Sequence, residues 1–171
     1  VLRAETPLFD MIESVEMAAE DPRIVALALD LDELDSINVS SVRELGSALR
    51  TFADSGKPVL AMGDNFNQQQ YLLASYADEI FLHSMGGVAI QGYGVYPAYF
   101  RDLLERLEVD IYVFRVGEYK AAVEPFIRED MSIEAKENNL RWLQSLWSNF
   151  TSSAAVNRDL DPRGIDEYVN N

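Results

Sequence analysis

The 171-residue chain has no cysteine and a single histidine, His83. The first absence excludes disulfides, thiolate zinc sites and a cysteine nucleophile, and leaves the redox compartment open. The second excludes a histidine-rich metal centre. Positive charge is scarce as well: 14 Lys and Arg stand against 29 Asp and Glu, a net charge of −15. The basic residues are scattered singly among acids and form no patch, so neither nucleic acid nor an anionic membrane surface is expected as a partner. No apolar run approaches the ~18 to 20 residues of a spanning helix. Residues 1–5 lack the basic and then apolar layout of a signal peptide. Neither GxGxxG nor GxxxxGK[ST] occurs, which removes the usual nucleotide cradles. Asp30, Asp32, Glu33 and Asp35 lack the glycine and terminal glutamate spacing of a calcium loop and read as a solvated acidic loop, so no metal and no cofactor is expected. What is present is 48% hydrophobic residues at a common domain length. That predicts one compact domain over residues 1–171, burying about 70% of its unfolded surface.

Apolar residues alternate between two periods along the chain. Residues 8–19 place Leu8, Ile12, Val15 and Ala19 on one helical face, and Asp21-Pro22 stops that helix. Residues 24–29 form a nearly continuous apolar run, the pattern of a parallel strand covered on both faces. Ser41-Val42-Arg43-Glu44 has capping-box spacing and opens a helix through Leu45, Leu49 and Phe52 that Ser55-Gly56 ends. Strands are predicted at 57–62, 79–82, 87–90 and 111–115, with helices at 68–76 and 95–107. A last long helix begins near Ser132, where Ile133, Leu140, Leu143, Trp147, Phe150 and Ala154 form a stripe read as core-facing. The polar tail after Asn157 reads as an exit from the domain. Alternating strands and helices mean α/β with a mainly parallel sheet.

Few residues are candidates for chemistry. Gly86, Gly87 and Gly92 flank a short apolar strand; they are either ordinary turns or places where a substrate backbone approaches closely. His83 has no nucleophile motif beside it and reads as structural. Asn149-Phe150-Thr151 fits the glycosylation pattern without a secretory context. Lys120 follows a predicted strand end and a glycine, and Val116, Ala122, Val123 and Phe126 are its sequence neighbours. A lysine in such surroundings loses hydration, which lowers its pKa toward the range of a general base. The same spacing also fits a surface lysine whose stem lies along apolar residues.

The segment Phe114-Arg115-Val116-Gly117-Glu118-Tyr119-Lys120-Ala121-Ala122-Val123-Glu124-Pro125-Phe126 resembles the amino-terminal half of the signal peptide peptidase A (protease IV) family. So do the six residues after it, together with Asp54-Ser55-Gly56-Lys57-Pro58-Val59, Gln70-Tyr71-Leu72-Leu73-Ala74-Ser75 and Arg141-Trp142. The likeness covers about residues 8–158. It implies a crotonase-like, Clp-protease-like α/β fold of ββα units and a Ser–Lys dyad in which Lys120 is the general base. Gly86, Gly87 and Gly92 become candidates for substrate-backbone contact. The family's Ser-Gly-Gly-Tyr segment corresponds here to Gln68-Gln69-Gln70-Tyr71, so the nucleophilic serine is expected in another half of the protein. The resemblance further implies peptide substrates, namely cleaved signal peptides, a homotetramer of the intact protein, and an anchor upstream of Val1 in the bacterial inner membrane, on its periplasmic side. Two alternatives from other classes are a non-catalytic crotonase-fold assembly module and an acyl-CoA hydratase-like enzyme. The latter needs a carboxylate base and a basic site for CoA phosphates, and no such basic site is present.

Overall fold

The computed structural model describes residues 6–34, 36–113 and 121–170. It divides into two compact units, Val1–Gly92 with Phe150–Asn171, and Tyr93–Asn149.

The first unit is α/β. Helix α1 (Leu8–Glu20) buries Val15 and ends at Asp21. Its terminal carbonyls are not left to water: the Lys57 ammonium donates to the carbonyl oxygens of Ala18, Ala19 and Asp21 at 2.9, 2.8 and 2.8 Å. One side chain thus caps three carbonyls at the helix end, of which that of Asp21 also accepts from Ile24 N–H at 3.1 Å. Helix α2 (Val39–Asp54) buries Val42, Leu45, Leu49 and Phe52 at three- and four-residue spacing. Its cap is Asn38, whose side chain accepts from Ser41 N–H, so the helix starts two residues before the predicted Ser41 box. Asn38 is among the strongest N-caps, and at this end it prevails over the serine–glutamate pattern.

Strands β1 (Leu27–Asp30), β2 (Val59–Gly63) and β4 (Glu79–Leu82) form a parallel sheet in the order β1-β2-β4. Leu27 pairs with Val59 and Leu29 with Ala61, and Val59 and Ala61 are fully buried. The other face carries Ala28, Leu60, Met62, Glu79 and Phe81, in register across the sheet, and Met62 and Phe81 are exposed. The expectation of a strand at 24–29 covered on both faces is therefore corrected. The strand starts at Leu27, lies at the sheet edge, and has one face open. Strands β3 (Phe66–Asn67) and β5 (Val88–Ala89) pair in parallel as a second, two-stranded sheet, and α3 (Gln68–Ala74) follows β3 directly. The unit is completed by the last nine residues of α6 (Ile133–Arg158) and by α7 (Pro162–Asn170). Phe150, Ala154, Ala155 and Ile165 are buried there, so the predicted polar exit contains a helix that helps close the core.

The second unit is helical in its described part: α4 (Arg101–Arg106), a single 3-10 turn (Ala121–Val123), α5 (Glu124–Ile127) and the start of α6. The Glu124 carboxylate accepts from Ser132 N–H at 3.0 Å and from its hydroxyl, and the Ser132 hydroxyl oxygen accepts from Ala135 N–H at 3.1 Å, which fixes the start of α6. Phe100 stacks on Phe126 at 6.2 Å. The helix predicted over 95–107 is shortened to six residues, because Pro97 biases Tyr96 away from helical geometry. Residues 111–113 form no strand. Tyr112 is 80% exposed and no described strand lies beside it to pair with. Residues 114–120, which hold the remainder of that predicted strand and Lys120, lie outside the described residues.

Candidate active site

In the first unit the candidate residues gather where β3 runs into α3. Asn67 caps α3, its side-chain oxygen accepting from Gln69 N–H at 3.0 Å and Gln70 N–H at 2.9 Å. The Gln70 side-chain oxygen reaches back to Asn67 N–H at 2.8 Å, which completes a reciprocal capping box. Gln70 Nε2 donates to the carbonyls of Leu31 and Leu34 at 2.8 and 3.0 Å, tying the loop after β1 to this helix start. That loop is held a second time by Asp32, whose carboxylate accepts from Asp64 N–H at 2.8 Å. The acidic stretch thus has a structural task.

Gln68, the first residue of α3, is 6% exposed. Its Oε1 accepts from Gly92 N–H at 2.8 Å and from Gln91 N–H at 3.2 Å, while its buried Nε2 has no partner among the described residues. The three predicted glycines lie close by in sequence and in hydrogen bonding, and each gives its N–H to an internal acceptor. Gly86 donates to the His83 carbonyl at 2.8 Å, and Gly87 to the Asn65 side chain at 3.1 Å. Gly92 donates to Gln68 and has a φ of +74°, a geometry that favours glycine. A β-carbon on Gly86 would collide with the Asp64 carbonyl oxygen, so its glycine identity comes from close packing.

Three recesses border this helix start. One of about 310 Å³ is lined by Asn67, Gln68, Gln69, Ala89, Gln91 and Gly92. Another of about 450 Å³ involves Asn65, Phe66, Gly87 and Val88. An apolar groove of about 440 Å³ runs between Tyr71, Val88, Ile90, Leu160, Ile165 and Tyr168.

The hydroxyl at the end of α3, that of Ser75, is structural. Ser75 is fully buried; its hydroxyl donates to the Leu72 carbonyl and accepts from Asn157 Nδ2, which is in turn held through its Oδ1 by Arg50. His83 is exposed and its Nδ1 accepts from Met85 N–H in the turn after β4. Thr151, the third residue of the glycosylation pattern, is buried within α6. In the second unit the Tyr99 phenol is pushed above its ordinary pKa, first by lost hydration and then by the carboxylates of Glu124 and Asp130. No group of three or more metal-binding side chains occurs among the described residues.

Chemically, the start of α3 can hold an oxygen but cannot attack a carbonyl. Sequence reasoning located Gln68 and Gly92 separately and missed their hydrogen bond, because nothing in a 24-residue separation signals that one side chain will cap the other's amide. It also missed the Lys57 clamp on α1. The signal available there was a lysine immediately before a strand, and its target lies 36 to 39 residues away.

Comparison with known proteins bears on what this arrangement belongs to. Residues 51–171 match the sequence profile of peptidase family S49. The chain is 44% identical over 161 residues to Protease 4 of Salmonella typhi, covering 94% of this chain and 26% of that protein. It is 45% identical over 152 residues to Protease 4 of Haemophilus influenzae, covering 89% and 25%. With the chloroplastic serine protease SPPA of Arabidopsis thaliana it shares 24% identity over 158 residues, 92% and 23% of the two chains. The chain therefore spans about a quarter of the length of these relatives.

Proposed function

The chain belongs to peptidase family S49, and from that premise we propose that it is the lysine-bearing, amino-terminal part of a serine endopeptidase that degrades cleaved signal peptides. The observation that carries this reading is at position 68. The residue at the start of α3 is a buried glutamine whose carbonyl oxygen is spent on two backbone N–H groups, so this position offers no nucleophile, and on this reading the serine comes from another part of the protein. Lys120 then supplies the base. Its neutral amine takes the serine proton as the hydroxyl oxygen attacks the scissile carbonyl, and returns that proton to the leaving amine. An ammonium cannot do this, so the segment must desolvate Lys120 enough to lower its pKa toward neutrality.

The same reading places the chain in a crotonase-like, Clp-protease-like fold of ββα units, and the intact protein in a homotetramer at the periplasmic side of the bacterial inner membrane. Two features support it: parallel strands alternating with helices in the first unit, and bacterial relatives that are about four times longer. Among the described residues no helix is long and apolar enough to cross a membrane, and the reading puts the anchor in a part of the protein upstream of this chain. Extended apolar peptides are the substrates, with no cofactor.

The test is substitution of Lys120 in the full-length enzyme. Lys120→Met keeps the stem and removes the base, and should lower kcat by about 10² to 10⁴. Lys120→Arg should be equally slow, since a guanidinium does not give up its proton at neutral pH. Near-normal turnover of Lys120→Met would overturn the assignment.

A further inference from the structure

In the unit Tyr93–Asn149 two of the described residues are buried, Ala135 and Glu124, each 8% exposed. A carboxylate taken out of water is costly unless hydrogen bonds hold it. Glu124 is held by Ser132, whose backbone N–H and hydroxyl both donate to it, and hydrogen bonds to an ionised acceptor are the strong kind. These bonds are not needed to start α6. Ser132 stands immediately before that helix, and its hydroxyl oxygen already takes the N–H of Ala135, the third helical residue. A local capping box would return a glutamate from that third position to the Ser132 N–H. Here the position is alanine, and the carboxylate comes from eight residues upstream. The arrangement ties the first residue of α5 to the beginning of α6.

The next two residues are anchored as well. The Pro125 carbonyl accepts from Phe100 N–H at 2.7 Å, and the Phe126 ring stacks on that of Phe100. Upstream, the single 3-10 turn Ala121–Val123 is all the chain that separates Glu124 from Lys120. A turn of this kind closes a hydrogen bond every three residues and has little slack. Lys120 lies outside the described residues, and the chain that leads on from it is fastened to the starts of α4 and α6 at Glu124, Pro125 and Phe126.

We propose that Glu124, through its bonds to Ser132, is a positioning residue for the Lys120 base. It fixes the end of the 3-10 turn and thereby the point from which the lysine stem leaves the backbone. Its effect reaches the reaction only through Lys120, so this role rests on the reading of Lys120 as the general base. A group misplaced by as little as ~1 Å can cost about 10²-fold in rate. A looser turn also lets water reach the amine, which raises its pKa and leaves less of the neutral form that accepts a proton.

The test is made in the full-length enzyme with Glu124→Ala, Glu124→Gln, Ser132→Ala and the double variant Glu124→Ala/Ser132→Ala. Glu124→Ala should lower kcat by about 10²-fold with little change in KM. It should also move the acid limb of kcat/KM, which reports the base of the free enzyme, to higher pH. Glu124→Gln keeps the shape and an acceptor for Ser132 N–H, and should be at least about tenfold faster than Glu124→Ala. The double variant should be no slower than Glu124→Ala, since both changes break one tie. An unmoved acid limb in Glu124→Ala overturns the role whatever the rate, because lost folding lowers the amount of active enzyme and not the pKa of its base. A double variant slowed by the product of the two single losses overturns the tie through Ser132. If Glu124→Ala does not fold, Ser132→Ala decides: its acid limb must move in the same direction, or the role fails. Near-normal turnover of Lys120→Met removes the dyad reading and this role with it, whereas a slow Lys120→Met beside a normal Glu124→Ala removes this role alone.

Discussion

The seven largest apolar side chains that the protein removes wholly from water, Phe52, Phe66, Phe150, Leu49, Leu72, Val42 and Val59, all belong to the unit formed by Val1–Gly92 and Phe150–Asn171. In the unit Tyr93–Asn149, Ala135 is the one buried apolar residue among those described, while Leu103, Leu107, Ile111, Phe126, Ile133 and Leu140 are all exposed. The composition of the two regions does not explain this, because both are rich in large apolar residues. Architecture does. The first region packs α2 on β2 of the parallel sheet, α1 and α3 on α2, and α3 on β3 and β5, and so has a layer for each apolar stripe to meet. The second has short helices and no described strand, and its stripes meet no second layer of their own. Helix α6 shows the contrast within one element: Ile133, Leu140 and Trp142 are exposed in its first half, and Phe150, Ala154 and Ala155 are buried in its last nine residues.

The sharpest way to break this contrast is paired truncation. Phe52→Ala should cost about 3–5 kcal/mol, the range for a large side chain removed from a closed core. Leu140→Ala, at 56% exposure, should cost well under ~1 kcal/mol. Urea denaturation followed by far-UV circular dichroism measures both. Equal losses would show that the second region is buried in solution. A related check uses the position of the tryptophans, since Trp142 and Trp147 both lie in the second region. Their fluorescence should change at lower urea than the circular dichroism does, and coincident transitions would mean that the two regions unfold as one.

Lys57 offers the next largest effect. Lys57→Met leaves the carbonyls of Ala18 and Ala19 without this donor and the Asp21 carbonyl with only Ile24 N–H, and should cost about 1–3 kcal/mol, with faster amide exchange confined to α1. An unchanged denaturation midpoint would show that water replaces the ammonium there.

The smallest effect is acid titration, which should touch both regions alike. Asp21 is held below its ordinary pKa chiefly by the Arg23 side-chain hydrogen bond, and Asp130 chiefly by that of Lys136. A lowered native value means that each contribution is complete above the unfolded carboxyl value of ~3.9 and is lost as pH falls below it. Both pairs are exposed, so the change in stability should be slight. Carboxyl NMR titration is the better readout: Arg23→Ala should raise Asp21 toward the ordinary value, with the residue 23 backbone N–H and Lys57 still lowering it, and leave Asp130 unmoved.

The regions also differ in how far they could be read from sequence. In the first, α1, the strand at 79–82 and the end of α2 at Ser55-Gly56 follow from periodicity and caps, because there the local pattern and the tertiary partner agree. The strand at 24–29 was overextended: an apolar run reads as doubly covered, and sequence alone does not show that the chain becomes a strand only where β2 lies beside it. In the second region a helix is expected over 95–107, and Pro97 is the contrary signal. The site was half legible. Gln68 and the glycines stand in the segment that resembles the family's nucleophile region, but the bond from Gly92 N–H to Gln68 is a product of folding. Lys120, read from its motif, lies outside the described residues.

The first unit is discontinuous in the chain, and this has a consequence for the order of events during synthesis. Its sheet, α1, α2 and α3 are complete by Gly92, yet Phe150, Ala154, Ala155 and Ile165 arrive only with the returning segment. At ribosomal rates of ~5–20 residues per second, the roughly eighty residues from Gly92 to the end of α7 take several seconds to emerge. During that interval the nascent chain presents an unfinished apolar surface, and the whole second region must pass before it closes. A trigger-factor-like chaperone, or a partner already in place, would have its greatest influence in that window. Arrest of translation between Gly92 and Phe150 should yield a protease-sensitive nascent chain, and arrest beyond α7 a resistant one.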